Sequence, residues 1–138
     1  MLIFTILTTI QTTIMLIGDF FTIEQITKND DETLYLTKLN ADHEIYKGHF
    51  PGDPICPGVC NVQTIRECAE QQTGKKLRID SIALCRFAAL ITPQNAPQLL
   101  IALHLEEKEE NSYLATAKIT SPDNSILYLE YKGEYSAE

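Results

Sequence analysis

Basic side chains are scarce in this chain. Eleven Lys and Arg stand against 19 Asp and Glu, a formal net charge of −8 over 138 residues. Such a surface repels a phosphate backbone, which argues against a nucleic-acid binder. The glycine-rich phosphate fingerprint of dinucleotide-binding enzymes is also missing, and the length is short for a full doubly wound sheet. Four cysteines occur, Cys56, Cys60, Cys68 and Cys85. No second pair or histidine cluster joins Cys56 and Cys60 to complete a zinc site, and a chain of this size does not need stapling. Free, mostly buried thiols are expected, with no metal and no cofactor. Charge is absent altogether from the first 18 residues, MLIFTILTTIQTTIMLIG. The segment lacks the positive start and small-residue cleavage site of a signal peptide. Its threonines and Gln11 interrupt the apolar run that a membrane helix needs. The expectation is therefore a cytoplasmic protein without stable membrane insertion. Met15 opens a second plausible start, so the first fourteen residues read as extra to the functional unit, with a β-rich edge or partner-packing segment as alternatives. The division read from the sequence is an N-terminal apolar segment, 1–18, and a single domain, 19–138.

What is present suits a folded domain: 44% of residues are apolar and 22% charged, enough for a core without staples. Phe20 to Thr27 and Thr33 to Asn40 read as two strands joined by the turn Lys28-Asn29-Asp30-Asp31. Gly48 to Gly58, GHFPGDPICPG, carries three prolines and three glycines, which excludes a regular element and implies a stiff loop. A helix is predicted from about Val59 to Gln72, stopped by Gly74. Val62, Ile65, Cys68 and Ala69 form its apolar stripe, while Gln63, Glu67 and Glu70 share another face. Leu77 to Phe87 reads as a long strand. Leu99, Ile101, Leu103 and Leu105 alternate as a half-buried strand does. Tyr113 to Thr120 and Ile126 to Tyr131 supply two more strands, hinged at Ser121 to Asn124. The run EEKEEN ending at Asn111 reads as a charged connector. One helix on one face of a curled antiparallel sheet is a two-layer α+β solution whose exposed edges favour pairing with a second sheet.

Among the three histidines, only His49 lies in the stiff loop; His43 and His104 read as surface residues. Near neutral pH an imidazole can take or give a proton, and a rigid loop holds it in one pose. The helix that follows Gly58 aims free backbone N–H groups at the same loop, donors that can hold negative charge growing on a carbonyl oxygen. The pairing suggests proton abstraction beside a carbonyl. Asp53, next to that histidine, reads as a turn aspartate that could also bias the ring.

The run from Gly48 to Gly74, GHFPGDPICPGVCNVQTIRECAEQQTG, resembles the β-hydroxyacyl-acyl-carrier-protein dehydratases of the hot dog fold. His49, Phe50, Pro51, Gly52, Pro54, Pro57, Gly58 and Val59 match that family's G-H-F-P-G-x-P-x-x-P-G-V signature. A weaker likeness runs on through Arg86-Phe87 to the closing Tyr128 to Glu134. The resemblance implies a long central helix wrapped by a curved antiparallel sheet, paired as a homodimer or in a larger assembly. It also implies an acyl thioester, on acyl carrier protein or coenzyme A, as ligand. His49 would then remove the C2 proton of a 3-hydroxyacyl thioester, and the Gly58 amide would hold the thioester carbonyl. Phe50, Pro57, Val59 and Val62 would line the path of the substrate.

The sequence departs from the family at two places. Fourteen residues after His49, where the family carries an acid, stands Gln63; one turn later, where it usually carries Gln, stands Glu67. An amide can hydrogen-bond a hydroxyl but cannot supply its proton. The two side chains share a helical face, about 6 Å apart along the axis. Glu67 could have taken over the acid's role, His49 could act alone on an easier substrate, or the chain could have lost dehydratase activity and serve as a binding or partner subunit beside an active homologue. A thioesterase on the same scaffold is a further reading. The second departure replaces the family's basic K-F-R-R-P stretch by Arg86-Phe87-Ala88-Ala89-Leu90, which weakens the surface an acidic carrier protein would meet. Lys75, Lys76 and Arg78 are the nearby replacements. The leading expectation is a dehydratase acting on 3-hydroxyacyl and trans-2-enoyl thioesters.

Overall fold

The computed structural model describes residues 16–46 and 56–138. His49, Phe50 and Asp53, and residues 1–15 of the N-terminal segment, lie outside the described residues.

Among the described residues, six strands and one long helix follow one another. β1 spans Phe21–Lys28 and β2 Thr33–Leu39. After a short 3-10 turn at Glu44–Tyr46, helix α1 covers Gly58–Thr73. Then come β3 (Leu77–Phe87), β4 (Gln98–Glu109), β5 (Ser112–Thr120) and β6 (Leu127–Ala137). The strands form one antiparallel sheet in the order β1-β2-β4-β5-β6-β3, leaving β1 and β3 as its edges.

The predicted elements are all there, with three differences of extent. β4 runs on through Glu106 to Glu109, so the charged run is mostly strand, and only the turn at Glu110 and Asn111 connects; Asn111 takes φ 63° there. β6 continues six residues past Tyr131. The helix is buried on more than its apolar stripe: besides Val62, Ile65, Cys68 and Ala69, the polar Asn61, Gln63, Thr64, Arg66 and Glu67 are buried too. The polar face therefore meets protein as well and must find partners there.

Alternation fixes the sheet's concave face. Tyr35 pairs with Ile101, Ile101 with Ile119, and Ile119 with Leu129, and all four are buried. Two residues along, Leu103, Ala117 and Tyr131 form the next buried row, followed by Leu105, Ala115 and Gly133. Alternate residues point to opposite faces of a strand, which is why these rows collect apolar side chains while Lys118, Lys132 and Glu134 face away. Gly74 closes the helix in the left-handed region (φ 70°), its N–H donating to the Glu70 carbonyl. There glycine costs least. The turn into β3 is tied back to α1: the Leu77 N–H donates to Glu70 Oε2, and Arg66 Nη1 donates to the Leu77 carbonyl.

Candidate functional site

The stiff loop re-enters the described structure at Cys56, whose backbone N–H donates to the Ile91 carbonyl at 2.7 Å. Its thiol donates to Asn61 Oδ1 at 3.0 Å. Burial holds this thiol in its protonated form, and it raises the Cys60 thiol to about 12, with negative Glu67 adding to the effect. Both thiols are therefore packing groups and poor nucleophiles. Pro57, extended at ψ 138°, precedes the first turn, and no side chain caps it. The Cys60 and Asn61 amides return to the Pro57 carbonyl, while those of Gly58 and Val59 find no acceptor among the described residues. Pro57, Gly58 and Val59 are half-buried and Val62 is buried. Among the described residues the helix start therefore keeps two amide donors without an acceptor.

Over Gly58 lies the ring of Phe87, from the end of β3. A Cβ on residue 58 would come within 2.7 Å of Cζ and 3.1 Å of Cε1. Position 58 tolerates no side chain while the ring stays where it is.

One turn further into α1 the inverted pair is found in a chain of hydrogen bonds. Glu67 is 1% exposed. The Leu16 N–H donates to its Oε2 at 2.8 Å and to Oε1 at 3.1 Å, and the Ile17 N–H donates to Oε1 at 2.7 Å. Gln63 Nε2 adds a bond to Oε2 at 2.8 Å. On its other side the Gln63 carbonyl oxygen accepts from Arg66 Nε at 3.2 Å, and Arg66 Nη1 pairs with Glu70 at 2.9 Å. The orientation of the Gln63 amide follows from chemistry: a guanidinium only donates and a carboxylate only accepts. Arg66 is itself buried, and its Nη2 has no hydrogen-bond partner among the described residues. Both oxygens of Glu67 thus serve main-chain and amide donors. A carboxylate whose two oxygens are occupied by three donors in this way is poorly placed to deliver a proton elsewhere.

Sequence reasoning brought Gln63 and Glu67 together but did not supply their partners. Leu16 and Ile17 stand about fifty residues from Glu67 and were read as part of the apolar N-terminal segment. In the fold Leu16 is buried, and its carbonyl receives the Phe20 amide at 2.7 Å. No local periodicity announces a contact of that span. The Phe87–Gly58 approach escaped for the same reason, although both residues lie in the motifs that carry the resemblance. His43 and His104 play local parts: His43 Nδ1 accepts from the Ile45 amide while Nε2 faces Asp19, and His104 meets the Asp31 carbonyl. Lys75 is engaged with Asn111 and Tyr113.

Comparison with known proteins adds an independent line. Residues 25–124 match the ApeI-like family, described as ApeI dehydratase. The chain is 27% identical over 101 residues to the 3-hydroxyacyl-[acyl-carrier-protein] dehydratase FabZ of Levilactobacillus brevis, covering 67% of this chain and 66% of that enzyme, just under two thirds of its length. FabZ of Fusobacterium nucleatum is 25% identical over 116 residues, covering 78% of this chain and 80% of its own. Among solved structures, the dehydratase heterocomplex ApeI:P from Xenorhabdus doucetiae superposes with a TM-score of 0.66 at 20% identity, over 83% of this chain and 96% of that one. A putative thioesterase, yhdA, from Lactococcus lactis superposes at 0.60 with 10% identity, over 85% and 91%. At such identities the structural likeness establishes the fold, and the fold is the hot dog fold.

Proposed function

Because the chain belongs to the ApeI-like family, a hot dog family related to the FabZ dehydratases, we propose that it is a catalytically silent subunit that binds an acyl thioester and completes a dehydratase assembly. The observation that carries this reading is the engagement of Glu67. The family's acid position holds an amide, and the carboxylate one turn later is spent on the Leu16 and Ile17 amides and on Gln63. Elimination of water needs a proton for the leaving hydroxyl, and neither side chain is arranged to give one. What supports the binding half is that the Gly58 and Val59 amides, without an acceptor among the described residues, suit a thioester carbonyl, while Pro57 and Val62 offer apolar surface to the acyl chain. The thioester would arrive on acyl carrier protein or coenzyme A.

A partner of the same fold is supported by the β3 edge. From Ala83 to Ala88 every residue is exposed, and Leu84, Phe87 and Leu90 leave 38%, 48% and 71% of their surface uncovered. An apolar strand with an unpaired edge is a template for another sheet. The similar ApeI:P protein of Xenorhabdus doucetiae is a dehydratase heterocomplex, and the partner proposed here is a second hot dog subunit that brings its own acid.

Hydration of a trans-2-butenoyl thioester, on coenzyme A and on carrier protein, tests the reading. The wild-type chain alone is expected to bind the thioester without turning it over. The double swap Q63E/E67Q, which restores the family's order, should gain measurable turnover with His49 as base. Wild-type turnover that Glu67→Gln abolishes would instead establish a relocated acid and a complete dehydratase, and failure to bind any acyl thioester would remove the binding role.

A further inference from the structure

We infer that Phe87 is a positioning residue of the thioester site: its ring walls the helix start and keeps water from the Gly58 amide. The inference rests on the proposed binding of an acyl thioester at that amide, but its geometric half stands alone.

The ring belongs to the last residue of β3, where Phe87 pairs with buried Leu129 and so points to the concave side of the sheet. Strand alternation therefore aims it at α1 and away from the outer face. It meets the helix at Gly58, so closely that a Cβ there would overlap Cζ. Gly58 lies outside the left-handed region, the positive-φ glycines among the described residues being Gly18 and Gly74. Its lack of a side chain is required by the neighbour, not by the backbone. The contact joins two features: a pair of amides without an acceptor among the described residues and a half-exposed aromatic ring. A hydrogen bond to a carbonyl gains strength where water is excluded, because the donor has nothing else to satisfy it and the local dielectric falls. A flat apolar wall on one side of the amide provides that exclusion. It also limits the side from which a carbonyl can approach.

The test uses the full chain with Phe87→Ala, Phe87→Leu, Gly58→Ala and the double variant G58A/F87A. Amide exchange at Gly58, followed by NMR, reads the wall directly. Binding of hexanoyl-coenzyme A against free coenzyme A reads its consequence. Phe87→Ala should speed exchange at Gly58 about tenfold while leaving mid-helix Ile65 unchanged. It should weaken hexanoyl-coenzyme A about tenfold, the scale of one hydrogen bond, with free coenzyme A almost unaffected. Phe87→Leu should recover most of both. Gly58→Ala should reproduce the loss by displacing the ring, and should add nothing further once Phe87 is Ala. Unmoved exchange in Phe87→Ala, or a Gly58→Ala cost that is the same with and without the ring, would overturn the inference. So would equal weakening of free and acylated coenzyme A. If the wild type binds no hexanoyl-coenzyme A, the functional reading falls, while the exchange and double-variant results still decide whether Phe87 walls the helix start.

Discussion

A single carboxylate decides between an acid and a structural anchor. Burying a polar side chain is costly unless hydrogen-bond partners replace the lost hydration, and Glu67 has three donors within 2.7 to 2.8 Å. Two of them belong to the backbone of Leu16 and Ile17, so the same group that looks like a displaced catalytic acid holds the chain's entry into β1. A comparable residue-scale constraint operates at Gly133. A Cβ there would collide with the Tyr131 hydroxyl and approach Tyr131 Cζ to 2.8 Å and the Ser81 carbonyl to 3.1 Å. Gly133→Ala should therefore cost about 1–3 kcal/mol, the range for overfilling a packed core. Tyr131→Phe in the same chain should return part of the loss, because the hydroxyl is the nearest atom. Urea unfolding of the single and double variants checks this; a neutral Gly133→Ala would show that the tyrosine has room to move.

At the scale of elements, periodicity was a good guide where each element has one wet face. Leu99, Ile101 and Leu103 alternate, and β4 buries them. Periodicity weakened at the ends of strands. Glu106 to Glu109 extend β4 into a region solvated on both faces, where alternation has nothing to record. The strand read as ending at Tyr131 continues through Gly133, because the glycine accommodates Tyr131 while Tyr135 resumes the buried row. The helix was located to within a residue at each end by its preceding loop and by Gly74. Its polar face was not legible. Gln63, Glu67 and Glu70 read as one face of the helix, but Gln63 and Glu67 are buried, and distant backbone from Leu16 and Ile17 closes over Glu67. Motif reading supplied the identity of the site's residues; only the fold supplied what they hold on to.

The whole molecule presents two unequal edges. β1 carries a bulge between Ile23 and Gln25 and the charged residues Glu24 and Lys28, features that discourage further pairing. β3 leaves Leu84 and Phe87 partly uncovered, and this is the edge assigned to the partner. The interior also makes the stability of the fold sensitive to base. Burial raises Cys60 from 9.0, and Tyr35 and Tyr131 from 10.0, to about 12. Groups with raised folded values stabilise fully below their unfolded values, because both states then hold the proton. Above about pH 9 the unfolded thiols and phenols ionise first, the unfolded state binds fewer protons, and stability falls with rising pH. Urea midpoints should therefore be level from pH 7 to about 9 and decline steadily towards 11; a midpoint that holds to pH 11 would mean that these groups ionise without unfolding the protein.

The most direct test of the role given to Glu67 is a paired measurement on Glu67→Gln: thermal midpoint and enoyl-thioester hydration on the same preparation. An amide at 67 turns one oxygen into a donor facing the Leu16, Ile17 and Gln63 donors. A structural Glu67 predicts a loss of about 2–4 kcal/mol, a midpoint lower by roughly 10 °C, and no turnover in either the wild type or the variant. A variant as stable as the wild type that has lost a measurable wild-type turnover would contradict it, and would return Glu67 to the role of acid.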